Sequence, residues 1–316
     1  ALARKQELRP KALIAPHAKT HVARHKINRV SLSTIVGLSK EGFTSRQIGE
    51  RMGLDASHVR HLRSRIGRGE WDLENLGLQP ARIVAEGDTV RFPKEHRPGI
   101  KDKLPLTAEF ARLLGYYCAE GCIVASAGRV HAGEIVLAFG KHEDELVKDA
   151  VRIFETVFEI KPSIVRRETT IAVEVAKASL AALFKELAGK GSREKRVPAP
   201  LFVAKRPIVE AFLEGYVRGD GYRSPNGSVT ITTVSEELAW GIAWLVEKLG
   251  HIPAFHRYPN AQKRELLGRT ITQAPEVFVV RWYPKGPKKR YYQEDSEYFY
   301  LPIDFIAVKP FNGFVY

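Results

Sequence analysis

Apolar positions in residues 31–67 fall into three short stripes at helical spacing: Leu32, Ile35, Val36 and Leu38, then Ile48 with Met52, then Val59, Leu62 and Ile66. Capping signals separate them. Thr44 or Ser45 suits the N-cap of a second helix, Gly53 its end and Asp55 the N-cap of a third. Farther along, the period switches between two and 3.6. A strand is predicted over 134–139, a helix over 142–158, strands near 163–167 and 171–176, and a helix over 179–188. A second series follows, with a strand over 228–233, a helix over 235–249, strands near 252–258 and 276–283, and a weaker terminal helix. Each series begins with a nine-residue string, LLGYYCAEG from Leu113 and LEGYVRGDG from Leu213, 100 residues apart. If a short strand directly follows each string, each unit reads α-β-β-α-β-β-α. Such a duplicated unit usually pairs about a pseudo-twofold axis. The expected class is α+β, with a helical domain at 1–70, a linker at 71–104, and repeats at 105–200 and 201–302.

Length and composition narrow the field. The 316 residues leave room for two or three domains, and 44% hydrophobic with 27% charged residues is the balance of a folded chain. Fifty Lys and Arg against 36 Asp and Glu give +14, with a pI near 9.7, so polyanions, and nucleic acid first among them, are the expected partners. The apolar runs are too short to span a bilayer, and no secretory signal is visible, so a cytoplasmic location is expected. Cys118 and Cys122, four apart and expected on one helix, fit a reducing compartment. A chain that starts at Ala1 and stops at Tyr316 has the form of a processed or excised piece.

Residues 4–29 read as a basic arm: Arg4, Lys5, Arg9, Lys11, Lys19, Arg24, Lys26 and Arg29 stand against one acid, Glu7. His17, His21 and His25 would line one face of a helix. With no Cys or carboxylate beside them, solvated or phosphate-facing histidines are favoured over metal ligands. The string FTSRQIGERMGLDASHVRHLRSRI from Phe43 has the form of a helix-turn-helix. Its third helix offers Ser57, His58, Arg60, His61, Arg63 and Arg65 to bases and phosphates, with Arg46 on the second. The alternative is a three-helix packing module with a solvated basic face. Residues 71–106 are rich in Pro, Gly and charge, with one strand-like piece near 89–92.

The two strings carry the candidate chemistry. Gly115 with Ala119, and Gly215 with Gly219, are spaced i, i+4, so each helix has one face without bulk and two backbones can approach. Gly121 and Gly221 suit the left-handed position that stops a helix. Glu120 and Asp220 then lie in last turns, where the macrodipole disfavours a carboxylate by about 0.3–1 kcal/mol, and paired helices would make them repel. A divalent cation removes both penalties. Mg²⁺ bridges carboxylates and phosphates and can activate a water toward phosphorus, and Mn²⁺ can substitute for it. The alternative is two surface acids at unrelated helix ends.

These strings resemble the paired signature motifs of the LAGLIDADG homing endonucleases, and KDKLPLTAEFAR before the first is similar to the archaeal, intein-associated branch. The resemblance spans about 104–301. It implies that the motif helices form the interface of two halves, each laying a four-stranded antiparallel sheet on DNA, together a saddle. It implies that Glu120, where Asp is more frequent, and Asp220 bind the metal. EKRVP, with Lys195, Val197 and Pro198, resembles a second family block and implies that Lys195 lies near the active site, polarising the attacking water or stabilising the pentavalent phosphate. A surface lysine before a proline turn is the alternative. The matching lysine of the second half is Lys285, Lys288 or Lys289, with Lys288 taken as catalytic and Lys289 as DNA-binding. The run from Phe305 resembles the start of an intein C-terminal splicing block, making 303–316 a remnant. No opening Cys or Ser and no closing His and Asn are present for self-splicing.

The function these features imply is site-specific double-strand DNA cleavage: hydrolysis across the minor groove, staggered ends and no covalent intermediate. One chain carries both motifs, so a monomer suffices. A long asymmetric site would be read by Arg166, Arg167, Arg223, Thr230, Thr232, His256, Arg257, Arg281 and Tyr283. The alternative is a cleavage-defective relative serving as a DNA-binding regulator or RNA maturase. An RNA-binding structural protein would need sheet aromatics spaced to stack unpaired bases, and the sequence has no such spacing.

Overall fold

A computed structural model of the chain describes residues 7–15, 29–67, 83–92, 95, 98–124, 133–260, 263–266, 269–272, 274–286, 293–295 and 298–301. It divides into two compact units, Ala1–Asp220 and Gly221–Tyr316.

The first unit contains three short helices, α1 (Arg29–Lys40), α2 (Ser45–Met52) and α3 (Ala56–Gly67). Their boundaries have local causes. Thr44 and Gln47 form a reciprocal capping box, Gly53 ends α2 at φ 65°, and the Asp55 carboxylate accepts from the Ser57 and His58 amides at 2.7 and 3.3 Å. Leu32, Ile35, Ile48, Val59 and Leu62 form the core, with Leu38, Phe43, Met52, Leu54 and Ile66 packed around them. A Cβ on Gly49 would stand 2.5 Å from the Leu54 carbonyl oxygen, so this glycine lets α2 and α3 close tightly.

The segment expected to be a linker is partly folded. Antiparallel strands β1 (Val84–Glu86), β2 (Thr89–Arg91) and β3 (Ile100–Lys101) bury Val90 and Ile100, with Phe92 buried beside them. The arm is not wholly free either. Glu7–Leu8 pairs with Leu104–Pro105, a helical turn Pro10–Ile14 follows, and the Lys11 amide donates to Asp102 at 2.8 Å. Leu8 and Ile14, overshadowed in the sequence by the basic residues around them, are buried and hold the segment down. His17, His21 and His25 lie outside the described residues.

Next come α4 (Ala108–Glu120), β4 (Gly121–Val124), β5 (Glu134–Gly140), α5 (Asp144–Phe158), β6 (Ser163–Arg166), β7 (Thr170–Val175), α6 (Ala178–Ala188) and α7 (Arg206–Asp220). The antiparallel sheet has the order β4-β5-β7-β6. Ile135, Leu137, Phe139, Ile171, Val173 and Val175 are buried on one face of it, and Ala172 on the other; Phe110, Phe154, Phe158 and Phe184 supply aromatic bulk from α4, α5 and α6. Glu95 joins the small sheet to this body: its carboxylate accepts from the Ser179 amide at 3.0 Å and hydroxyl at 2.7 Å at the start of α6.

The second unit contains β8 (Gly221–Arg223), β9 (Val229–Thr233), α8 (Glu236–Lys248), β10 (Ala254–Pro259) and β11 (Glu276–Trp282), in the sheet order β8-β9-β11-β10. The β-β-α-β-β order and the strand order match those from β4 to β7 in the first unit. A hairpin, Lys263–Leu266 with Arg269–Thr272, lies between β10 and β11 and was not expected; Gln293–Glu294 pairs with Phe299–Tyr300. The described residues between β11 and 301 hold this strand pair and no helix, against the predicted terminal helix, and residues 303–316 lie outside the described residues.

Two local expectations are corrected. Cys118 is buried in α4, but Cys122 is exposed on β4, because the helix stops at Glu120. Gly121 is extended (φ −93°, ψ 150°), and Gly221 has no positive φ either; each begins a strand. What demands glycine at 121 is space: a Cβ there would lie 2.6 Å from the Tyr117 carbonyl oxygen.

Candidate active site and nucleic-acid interface

Small residues set the spacing of α4 and α7. A Cβ on Gly115 would meet the Phe212 carbonyl oxygen and stand 2.7 Å from the Tyr216 nitrogen; one on Gly215 would meet the Arg112 carbonyl group. At the far end, a Cβ on Gly219 would lie 2.7 Å from that of Ala119 and 3.1 Å from Glu120 Cγ. The helices therefore touch backbone to backbone along their C-terminal halves and bring Glu120 and Asp220 together at their ends, as the spacing predicts.

The electrostatics follow from this placement. Burial pushes the Glu120 carboxyl up to about 7, with the nearby charges of Asp220 and Glu143 acting in the same direction. Asp220 is exposed as a whole residue, yet the protein around its carboxylate raises its pKa by desolvation. Glu143, which the sequence pattern did not single out, caps the turn before α5 and accepts from the Gly140 amide at 2.6 Å. Its signal was an acid in the first turn of the helix predicted over 142–158. Among the described residues no group of three or more His, Cys, Asp or Glu side chains could hold a metal ion. The protein offers two carboxylates, the donor set Mg²⁺ accepts when phosphates and waters complete its shell.

Lys195 is not a surface lysine. It is 3% exposed, its Nζ donates to the Tyr117 carbonyl one turn before Glu120, and it stands 3.3 Å from the centroid of the Tyr117 ring. Burial lowers its pKa to about 8. Tyr117 in turn donates its hydroxyl to the Gly189 carbonyl at 2.6 Å, so the loop after α6 and the last turn of α4 are joined twice.

A second polar cluster, not foreseen, centres on Asp149 of α5. Arg112 of α4 donates two bonds to it at 2.7 and 3.0 Å, Tyr116 one at 2.9 Å and Arg152 one at 2.9 Å, while Arg218 of α7 stands 4.0 Å away. Burial opposes the Asp149 charge, but the bonds from Arg112, Arg152 and Tyr116 hold its pKa below the usual carboxylate value. This network ties both motif helices to α5.

Strand parity sorts the DNA-binding candidates. Thr230, Thr232, His256 and Arg281 alternate with the buried Ile231, Val280 and Trp282 and lie on the sheet face away from α8, Arg281 donating to Thr230 at 3.2 Å. Tyr222 and Tyr258 share that face and were missed; period-two alternation could have found them. Arg166 pairs across the ladder with the buried Ile171 and binds Asp144 at the start of α5 at 2.7 Å. Arg257 pairs with the buried Phe278 and binds Glu276 at 2.5 and 2.7 Å. Both arginines thus have the parity of the helix-covered face, against expectation. Arg223, opposite the buried Val229, has the same parity. Arg167 lies in the turn after β6, 3.7 Å from Glu174, and Tyr283 directly follows β11.

On the helical module, Arg46, Ser57, Arg60 and His61 are exposed and His58 half-buried. Arg63 is turned inward, donating to the Phe43 carbonyl and to Ser45 Oγ at 3.3 and 3.1 Å, where it braces α3 against the start of α2. Lys285 is exposed; Lys288 and Lys289 lie outside the described residues.

Residues 207–277 match the LAGLIDADG-like domain. The match takes in α7 with Asp220 and the second unit as far as β11. Over 242 residues the chain is 28% identical to an iron-sulfur cluster assembly SufBD family protein of Mycobacterium bovis, covering 75% of this chain and 28% of that one. It is 31% identical over 163 residues to a DNA polymerase of a Thermococcus species, covering 52% of this chain and 9% of that one. The chain thus spans under a third of the length of either relative. A crystal structure of the homing endonuclease I-DmoI with DNA and Mn is similar at a TM-score of 0.41 and 15% identity, over 56% of this chain and 90% of that one. No described helix is long and apolar enough to cross a membrane.

Proposed function

We propose that this chain is a site-specific double-strand DNA endonuclease whose cutting centre is the Glu120 and Asp220 pair. The observation that carries the proposal is the contact of α4 with α7 through Gly115, Gly215 and Gly219, which gathers two acids with raised pKa values at paired helix ends. Two carboxylates held together against their mutual repulsion fit a hard divalent cation. Mg²⁺, or Mn²⁺ in its place, would supply charge neutralisation at the scissile phosphate and activation of water. Glu120 and Asp220 would hold it, and Lys195 would act on the site by fixing the last turn of α4 through the Tyr117 carbonyl. A basic residue from Lys285, Lys288 or Lys289 would serve the other strand.

In this reading the two like-ordered sheets are pseudo-twofold repeats that lie on DNA as a saddle, a single chain suffices, and α3 docks as the recognition helix of a helix-turn-helix on one flank of a long asymmetric site. The relatives support an insertion-borne, intein-associated origin: two proteins with unrelated names share with this chain a segment that is a minor part of each. A second reading, a cleavage-defective DNA-binding regulator or RNA maturase, is favoured by one observation: the Glu120 carboxyl is pushed up to about 7, which weakens it as an anionic ligand. Incubation with Mg²⁺ and a plasmid carrying the uninterrupted host-gene site separates the two. The endonuclease linearises the plasmid, whereas a pure binder retards it and leaves it intact.

A further inference from the structure

Arg281 stands on β11, an interior strand of the second unit's sheet. The registers set it in one cross-strand row with Tyr222, Thr230 and Ala254, between Thr230 on one side and Ala254 on the other. Its chain neighbours Val280 and Trp282 are buried, so the core fixes Arg281 on the face away from α8, where it is exposed. Its Nε donates to Thr230 Oγ1 at 3.2 Å. That bond uses one edge of the guanidinium and leaves the two Nη groups at the end of the fork. No described carboxylate pairs with them, and none of the outward strand positions of this sheet is Asp or Glu. Arg257 is the opposite case, its Nε and Nη2 both taken by Glu276.

Resting on the endonuclease reading above, we propose that Arg281 reads a guanine of the target site and that Thr230 is the residue that positions it. Guanine shows O6 and N7 side by side in the major groove, two acceptors that match the two Nη donors, whereas adenine puts an amino donor in place of O6. A phosphate would accept the same fork, but the place of Arg281 favours a base. An interior strand of a sheet laid in a groove faces its floor, where base edges lie, and the phosphates line the walls. Thr230 acts before binding. Its hydroxyl holds a long, rotamer-rich side chain in one plane, so less freedom is lost when the fork engages. Ala254, with a methyl group alone, leaves the other side of the guanidinium uncovered.

The test is enrichment of a randomised duplex library by the full-length chain, with the bound pool sequenced for the parent and its variants. The parent's pool should hold a position at which guanine is favoured roughly 5- to 150-fold. Arg281→Ala erases that preference and leaves other positions as they were. Arg281→Lys keeps the charge, and with it the salt dependence of binding, but loses most of the preference, since an ammonium has no fork. Thr230→Val keeps the shape and removes the acceptor: the preference weakens at the same position, affinity for unrelated duplex is unchanged, and Thr230→Ser restores it. A merely structural threonine would weaken every position together, which overturns its positioning role, as does a Thr230→Val profile equal to the parent's. Arg281→Ala lowering affinity for all sequences alike, with a shallower salt slope, marks a phosphate contact and overturns the guanine reading. Cleavage of the selected duplex with Mg²⁺ is scored separately. A duplex bound with the guanine signature and left uncut removes the endonuclease reading alone; one that is cut without that signature removes the guanine reading alone. Failure of any duplex to be enriched sinks both.

Discussion

A methyl group on Gly115 would stand 2.7 Å from the backbone nitrogen of Tyr216, a distance at which one of the two helices must move. The obstacle is backbone, which cannot rotate away as a side chain can. Gly115→Ala gains up to about 1 kcal/mol of helix propensity but overpacks the α4–α7 contact at a cost of about 1–3 kcal/mol or more. The net expectation is destabilisation, read as a lower urea midpoint. Gly37→Ala is the control: nothing lies within 4 Å of its Cβ position in α1, so propensity alone acts and that variant is equal to or more stable than the parent.

Asp220→Asn keeps the shape of the second acid and removes its charge. Double-strand cutting should disappear, while affinity for the target duplex, supplied by surfaces away from the helix ends, stays within a few-fold. Gel retardation beside a Mg²⁺ cleavage assay measures both. Undiminished cleavage would remove Asp220 from the reaction.

The pairing of the motif helices was legible because it rests on i, i+4 spacing of small residues, a local pattern. The same holds for the caps at Thr44, Gly53 and Asp55. Strand residues fared differently. Arg166 and Arg257 were assigned to DNA by charge, although each pairs with a core residue, Ile171 or Phe278, and so has the parity of the covered face. Asp149 was invisible because Arg112 and Arg218 come from two helices distant in sequence, and only Arg152, three residues on in the same helix, is local. Of the docked small sheet only the strand near 89–92 is legible in the sequence, since its partners, of two and three residues, are too short to show a period.

The Glu120 carboxyl, near 7 in the folded chain and near 4.5 when unfolded, predicts a pH dependence with a definite sign. Between those values the folded state keeps a proton that the unfolded chain has released, so stability falls as pH rises from about 4.5 to about 7 and is flat beyond. The slope lies below the roughly 1.4 kcal/mol per pH unit of one fully displaced proton, because water reaches the carboxylate. Glu120→Gln should flatten it, and so should saturating Mg²⁺. Cleavage at limiting Mg²⁺ should rise with pH through the same window, because protons and the cation compete for one carboxylate. Thermal melts across pH with and without Mg²⁺ check the linkage.

Lys195 gives the opposite case, a buried base. Its pKa is lowered to about 8 from 10.5, so between those values the unfolded chain carries a proton that the folded chain has lost, and stability rises with pH across that window. Lys195→Met fills similar volume without a charge. It should abolish that rise and leave the protein at pH 7 as stable as the parent or more so, since the desolvated ammonium no longer has to be held, even after loss of the bond to the Tyr117 carbonyl. If Lys195 acts only by holding the last turn of α4, the methionine variant retains cleavage within about 10-fold and the pH dependence of its rate matches the parent's. If instead the ammonium reaches the phosphate, cutting is lost while the folded state is unharmed, and the lysine is a catalytic residue and not a positioning one.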